Sequence, residues 1–476
     1  MIVGGEPLHG KRRLKPLLAA VAACLLAFPV LAEIQIRLKD GRLITLPHDA
    51  DEVESITFGG GPAKPVVTVP KLPEPSIIVN PPRPRGSAAS PPPAMAAEGD
   101  IKTWSGVKTA VARARPGQVI SIAPGTYVIG RRDVLDAAAH GTAEQPITLR
   151  AAALGAVTVE VEFLEAARIS GSHWIFENLE FIGICGSHPN CEHAFHVKPN
   201  AHHLRFRNNR LIDFNAAIKG SAGDAAGATG PSYVTVEGNW IYNTKPRRTN
   251  SPVTPIDVNG GRGWVVARNY IADFAKQGGS NVSFGVFLKR NSFDGLYEGN
   301  LIVCEQRHRG GIRLGLSFGG GGSQQALEHS NGTIRNNIVM NCPQDVGIYL
   351  NRAHNTRVYN NILYNTGGID VRYRQSTADL RNNIISSRIK NRNDGTHTSR
   401  GDRVGVSARQ FADWFVDPAR GDFRPKPGAP VIGSGVPAPD VAADFCGRPR
   451  GQAMDQGAIA AADGSCPMLE RLWLDN

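Results

Sequence analysis

An asparagine recurs along the middle of this chain with an apolar residue three positions before it and another two positions after it. Phe206, Asn209 and Leu211 form one such unit, and Val236, Asn239 and Ile241 the next. Val266-Asn269-Ile271, Tyr297-Asn300-Ile302, Ile334-Asn337-Val339, Val358-Asn361-Leu363 and Leu380-Asn383-Ile385 continue the series at intervals of 22 to 37 residues. Ile175 with Asn178 reads as an earlier member, one residue out of register downstream. Units this short cannot bury an apolar face alone, so they must stack. β-Branched residues and glycines fill them, which excludes helical solenoids, and a propeller blade would need longer units of four strands. The repeat therefore predicts an all-β solenoid. Asparagine suits its bends because it tolerates a left-handed backbone and its amide can bond equivalent groups above and below.

Each unit carries a second strand, read as a small residue followed by apolar-x-apolar-x. The segments align as Phe195–Lys198, Ile256–Asn259, Val286–Lys289, Ile312–Gly315, Ile348–Asn351 and Ile369–Arg372. Strand side chains alternate, so the apolar members point inward and the others form two adjacent outward columns. One column is His196, Asp257, Phe287, Arg313, Tyr349 and Asp370; the other is Lys198, Asn259, Lys289, Gly315, Asn351 and Arg372.

Around this domain (99–411) the chain divides further. Lys11, Arg12, Arg13 and Lys15 precede an apolar run from Leu17 to Leu31, the pattern of an export signal over 1–32 cut after Val30-Leu31-Ala32. Val21-Ala22-Ala23-Cys24 is a rival, lipoprotein-type cleavage site, but the apolar run continues past it. Residues 33–58 alternate around Asp40-Gly41 as a small β-hairpin module. Residues 59–98, with Pro91-Pro92-Pro93, form a linker. A short helix from Val107 to Ala114 is expected to cap the first coil, and residues 412–476, which lose the period, to form a C-terminal cap. Beyond Cys24 six cysteines remain, an even number in an oxidising compartment. Of the fifteen possible pairings the repeat favours Cys185–Cys191, Cys304–Cys342 and Cys446–Cys466, since Cys304 and Cys342 follow consecutive repeat asparagines by four and five residues. The spacings fit no zinc site. The expected location is periplasmic or secreted, without stable membrane insertion.

The formal net charge of +11 favours an anionic partner. No phosphate-cradling glycine motif and no nucleophile elbow is present, and the partner is read as an acidic polysaccharide rather than nucleic acid. The segment Pro116-Gly117-Gln118-Val119-Ile120 leading to Pro124-Gly125-Thr126-Tyr127, then Gly141-Thr142-Ala143-Glu144-Gln145-Pro146-Ile147, resembles the opening of chondroitinase B and the related alginate lyases. The resemblance spans roughly residues 100–390 and implies a right-handed parallel β-helix, here expected as a monomer. It further implies cleavage of a uronic-acid polymer by β-elimination, with Lys289 similar to the family's proton-abstracting lysine and Arg313 to its assisting arginine. Two departures stand out: Lys289 and Arg313 fall in neighbouring columns rather than one, and Leu314 follows the arginine where the family has histidine. The family's calcium is implied as well, but the stretch Asn281–Phe284 offers no carboxylate ligand, so no cofactor or metal is expected. Arg290, Arg309 and Arg372 are then the groups suited to a substrate carboxylate, with Tyr349, Asn351 and Asn259 positioning sugars. The alternative is an exported glycan-binding or cell-surface β-helix without catalysis. A hydrolase or epimerase would need two carboxylates, or an Asp/His set, converging on one face.

Overall fold

The computed structural model describes residues 33–37, 43–49, 99–223, 229–320 and 327–462, with Cys466 and Leu469. The expected signal segment, the proline-rich linker and the Asp40-Gly41 turn lie outside these residues. Glu33–Arg37 pairs antiparallel with Leu43–Asp49 in one unit of the chain. The other unit holds three long parallel sheets of 10, 11 and 11 strands. It is a right-handed parallel β-helix. Each coil contributes one strand to each sheet in turn: His193–Val197 to the first, His202–Arg207 to the second and Arg210–Ile212 to the third. Inward side chains of all three fill one continuous core, where Phe176 and Phe206 stack at 5.3 Å between centroids.

The repeat asparagines turn the chain from second sheet to third. Asn239 typifies them: its backbone N–H and its Nδ2 both donate to Asn269 Oδ1, at 2.9 and 3.0 Å, and Nδ2 also reaches the Phe206 carbonyl at 2.8 Å. The ladder runs unbroken from Asn209 to Asn383 and ends on Asp402, whose carboxylate oxygen accepts from Asn383 N and Nδ2. The left-handed bend falls one residue earlier than the sequence pattern suggested, on Asn208, Gly238, Arg268, Gly299, Asn336, Asn360 and Asn382. This resolves the displaced member of the repeat. Asn178 is a bend residue with φ 60°, and the ladder position beside it is Leu179, whose N–H donates to Asn209 Oδ1.

Helix α1 (Trp104–Ala112), N-capped by Thr103, buries Trp104, Val107 and Val111 against the start of the core. It covers strands that would otherwise offer a raw end. The C-terminal segment lies along the outer face of the third sheet. Phe411, Phe415, Phe423, Val431, Phe445 and Ile459 form a second apolar cluster with Trp240, Tyr270, Leu301, Ile338 and Ile362 of that sheet. Those strands are apolar at successive positions, as in Leu301-Ile302-Val303, because they are buried on both faces. The three disulfides pair as expected: Cys185–Cys191, Cys304–Cys342 and Cys446–Cys466. Among the described residues no helix is long and apolar enough to cross a membrane.

Candidate functional site

The outward face of the first sheet carries most of the chemistry-bearing residues, and its register differs from the sequence alignment at two coils. Ile218-Lys219-Gly220 is a coil strand that the pattern missed, pairing Lys219 with His196 on one side and Asp257 on the other. A side chain at Gly220 would meet the Trp264 ring at 2.9 Å and Val258 at 3.2 Å, so the inner apolar position is a glycine there. The second correction concerns Arg313. Val286, Phe287 and Leu288 pair with Leu316, Ser317 and Phe318, while Arg313 pairs with Ser283, four residues earlier. The outward column therefore reads His196, Lys219, Asp257, Phe287, Ser317, Tyr349 and Asp370, and the one beside it carries Asn259, Lys289, Asn351 and Arg372.

Lys289 stands at the middle of this face, its ammonium 4.1 Å from the centroid of the Phe287 ring. The Gly319–Gly320 turn packs over its alkyl chain: a Cβ on Gly320 would come within 2.8 Å of Lys289 Cδ. Burial pushes the Lys289 pKa below the usual lysine value, and Lys219 and Arg290 push the same way, against Asp257 and Glu328. Asp257, 3% exposed, is ion-paired with Lys219 at 2.7 Å, and its second oxygen has no hydrogen-bond partner among the described residues. Glu328 is fully buried; it accepts from the Arg290 backbone N–H at 2.9 Å, and burial raises its carboxyl pKa against that bond and the Lys289 charge. Two carboxylates and two ammonium groups thus share one patch. The sequence alignment overlooked Lys219 and Glu328. The repeat length pointed to the first, and no local signal marked the second.

The remaining expected residues divide between this face and elsewhere. Asn259 occupies the coil before Lys289, its Oδ1 buried and unpaired among the described residues. Asn351, two coils beyond Lys289, is buried and donates to the Gly320 carbonyl at 3.0 Å, so it braces the turn over Lys289. Tyr349 is largely buried, and its hydroxyl accepts from Arg372 Nη1 at 3.0 Å; burial raises the phenol pKa, opposed by that arginine. The Arg290 side chain is exposed beside the patch. Arg313 is not part of the face. It is 1% exposed, and its guanidinium donates to the carbonyls of Cys304, His308 and Gly310, holding the loop that follows the Cys304–Cys342 disulfide. Arg309 lies with that loop, in a separate cavity of about 550 Å3 lined also by Glu305, Arg307, Asn341 and Arg420.

The donor set around Lys289 does not fit calcium, which takes six to eight oxygens. Asp257 is already ion-paired with Lys219, and the Lys289 charge acts on both Asp257 and Glu328. Upstream on the same face Glu165 accepts from His196 (2.7 Å) and Arg168. Burial opposes these bonds, yet they lower its pKa to about 2.

No family model and no curated protein sequence matches the chain. Solved structures do. A crystal structure of the pectate lyase Pel9A matches with a TM-score of 0.50 and 16% identity, over 74% of this chain and 90% of that one. An alginate lyase from Paenibacillus sp. str. FPU-7 matches with a TM-score of 0.43 and 16% identity, over 65% and 95%. The alginate lyase AlyGC matches with a TM-score of 0.40 and 20% identity, over 64% and 40%. At these identities the likeness is one of fold.

Proposed function

We propose that the protein is an exported lyase that cleaves a uronic-acid-containing polysaccharide by β-elimination, with Lys289 as the base. The observation that carries the reading is the Lys289 ammonium, set on an outward sheet face yet buried enough for its pKa to be depressed. A general base works best when its pKa approaches the working pH, and burial beside other cations moves a lysine that way. Lys289 would take the proton from the carbon next to the substrate carboxylate. The electron pair left behind forms the carbon–carbon double bond, and the bond to the glycosidic oxygen breaks. With Arg313 occupied by its own loop, the ammonium just formed on Lys289 is the acid at hand for the departing oxygen. Arg290 and Arg372 supply the positive charge that an unneutralised carboxylate needs, and Asn259 and Tyr349 border the same track. Export is supported by the three disulfides, which persist in oxidising compartments.

One observation favours a second reading, hydrolysis: the Asp257 and Glu328 carboxyls both act on the Lys289 charge, and burial raises the pKa of Glu328, as suits a proton donor. A single experiment separates the two. The purified chain is incubated with alginate, pectate and glycosaminoglycans, and products are followed at ultraviolet wavelengths and as reducing ends. The lyase reading expects an absorbing unsaturated sugar whose formation is lost in Lys289→Ala. Reducing ends without absorbance would replace it with hydrolysis. Salt-sensitive retention of the polymers without any shortening would leave a binding protein.

A further inference from the structure

Four of the thirteen histidines gather at one corner of the first coils, away from Lys289. His173 and His203 occupy equivalent positions on consecutive coils, just where the chain enters the second sheet. Both have left-handed backbones, with φ of 55° and 53°. Consecutive strand residues normally point to opposite faces. The left-handed turn at His203 cancels that alternation and swings its ring to the side of His202, so that the two Nδ1 atoms lie 2.8 Å apart. His173 stacks on His203 with centroids at 4.8 Å and planes 5° apart, and meets His202 edge-on at 5.6 Å. One ligand nitrogen from each of the three falls within 4.8 Å of the others, all half-buried. His140 stands one coil earlier, its Nδ1 3.0 Å from the hydroxyl of Ser172, the neighbour of His173.

His173 and His203 stack on one another, and Tyr233 continues the same pile at 4.9 Å. His202 stands edge-on to that pile with its Nδ1 at hydrogen-bond distance from His203 Nδ1, so ring nitrogens of three imidazoles converge at one corner. We propose that His173, His202 and His203 bind a divalent late transition-metal ion, and that the ion is of the copper(II) type. Imidazole is a ligand of choice for such ions. Among the first-row divalent ions copper(II) binds such nitrogen ligands most tightly. Three protein nitrogens leave positions for water or His140. Because the ligands come from two consecutive coils, the ion would clamp the N-terminal coils together.

The test uses the full mature chain stripped of metal with a chelator, titrated separately with copper(II) and zinc(II) chloride. Calorimetry gives stoichiometry, and electron paramagnetic resonance reads the copper ligands. One copper per chain is expected, with nitrogen couplings from imidazole and weaker binding of zinc. His202→Asn and His173→Asn should each weaken copper binding by at least about tenfold, while the exposed His354→Asn leaves it unchanged. Asparagine is chosen because it tolerates the left-handed backbone at residues 173 and 203; circular dichroism checks that each variant is folded, and His203→Asn serves if His173→Asn is not. Absence of a saturable site tighter than about 100 µM, or copper binding that survives a folded His173→Asn/His202→Asn variant, would overturn the proposal. So would a zinc affinity above that for copper.

Discussion

At the scale of single residues the proposal rests on how Lys289 holds its proton. Its neighbours offer a way to move that property without touching the residue. Asp257 favours the charged lysine, and Lys219 and Arg290 disfavour it. A base acts unprotonated, so kcat/KM should rise with pH and level off below pH 10.5, the ordinary lysine value. Asp257→Asn removes a stabilising charge and leaves Lys219 unpaired, which should displace the rising limb to lower pH. Lys219→Ala removes a repelling charge and frees Asp257, which should displace it to higher pH. Lys289→Ala should cost about a hundredfold or more in kcat. The check is the pH profile of unsaturated-product formation in each variant. Shifts in the same direction for Asp257→Asn and Lys219→Ala would deny Lys289 the role. A merely structural contribution of either residue would lower the plateau without moving the limb.

At the scale of elements the ladder and the coil strands decide stability, and they also show what the sequence made legible. The Asn269 amide donates to Val236 O and Asn300 Oδ1 and accepts from Asn239 N and Nδ2, all inside the protein. Asn269→Ala leaves buried backbone groups without partners, and should cost about 3 kcal/mol or more in denaturant unfolding. A second element-scale expectation concerns acid. His329, stacked on Phe318 with its Nε2 accepting from Gly295 N, has its pKa lowered by burial from 6.5 to about 3. An unfolded chain gains this proton near pH 6.5, whereas the folded one refuses it until about pH 3. The residue therefore withdraws stability as pH falls through that window, by about 1.4 kcal/mol per pH unit. Other buried groups titrate there too, so the informative quantity is a difference: His329→Gln, which keeps an acceptor and cannot charge, should lose stability less steeply between pH 6 and 4. Parallel curves for the two proteins would contradict the assignment.

The asparagine period revealed the ladder, the stacking and the Cys304–Cys342 disulfide, because each depends on spacing that the chain displays openly. Arg313 was misplaced for a definite reason. Gly311-Ile312-Arg313-Leu314 and Gly315-Leu316-Ser317-Phe318 both fit the strand pattern, and only the second keeps Gly315 in line with Gly285 and Gly347, where a Cβ at 285 or 315 would strike the glycine carbonyl of the next coil at 2.7 or 2.5 Å. Counting forward from the asparagines would not have decided it: Ile256 and Val286 each lie 17 residues after the preceding ladder asparagine and Leu316 16, but Ile218, Ile348 and Ile369 lie only 9, 11 and 8 after theirs, so the 12 of Ile312 falls inside the range. Glu328 had no local signal, since it reaches the site from the far side of the insertion that begins at Gly319.

At the scale of the whole molecule, the third sheet needs its C-terminal cover. A solenoid coil has one face inside and one outside, and an outer face of Trp240, Tyr270, Leu301, Ile338, Ile362 and Ile384 would be a broad apolar patch in water. The C-terminal segment covers it, and polar fastenings fix its course: Asn382 Nδ2 donates to the Val436 carbonyl, Arg450 Nη2 to Asn336 Oδ1 at 2.8 Å, and Gln456 Nε2 to the Gly401 carbonyl at 2.6 Å. These partners include Asn336 and Asn382, the bend residues beside the ladder. The cover is thus tied to the coil corners as well as to the sheet. A chain ending at residue 411 keeps the ladder, Lys289 and its neighbours, but bares the apolar face. It should bind a hydrophobic dye strongly, self-associate at micromolar concentration and melt at least several degrees lower. A truncated chain that stays monodisperse, dye-negative and equally heat-stable would mean that the coils hold the third sheet unaided, and that the second apolar cluster contributes packing without being required.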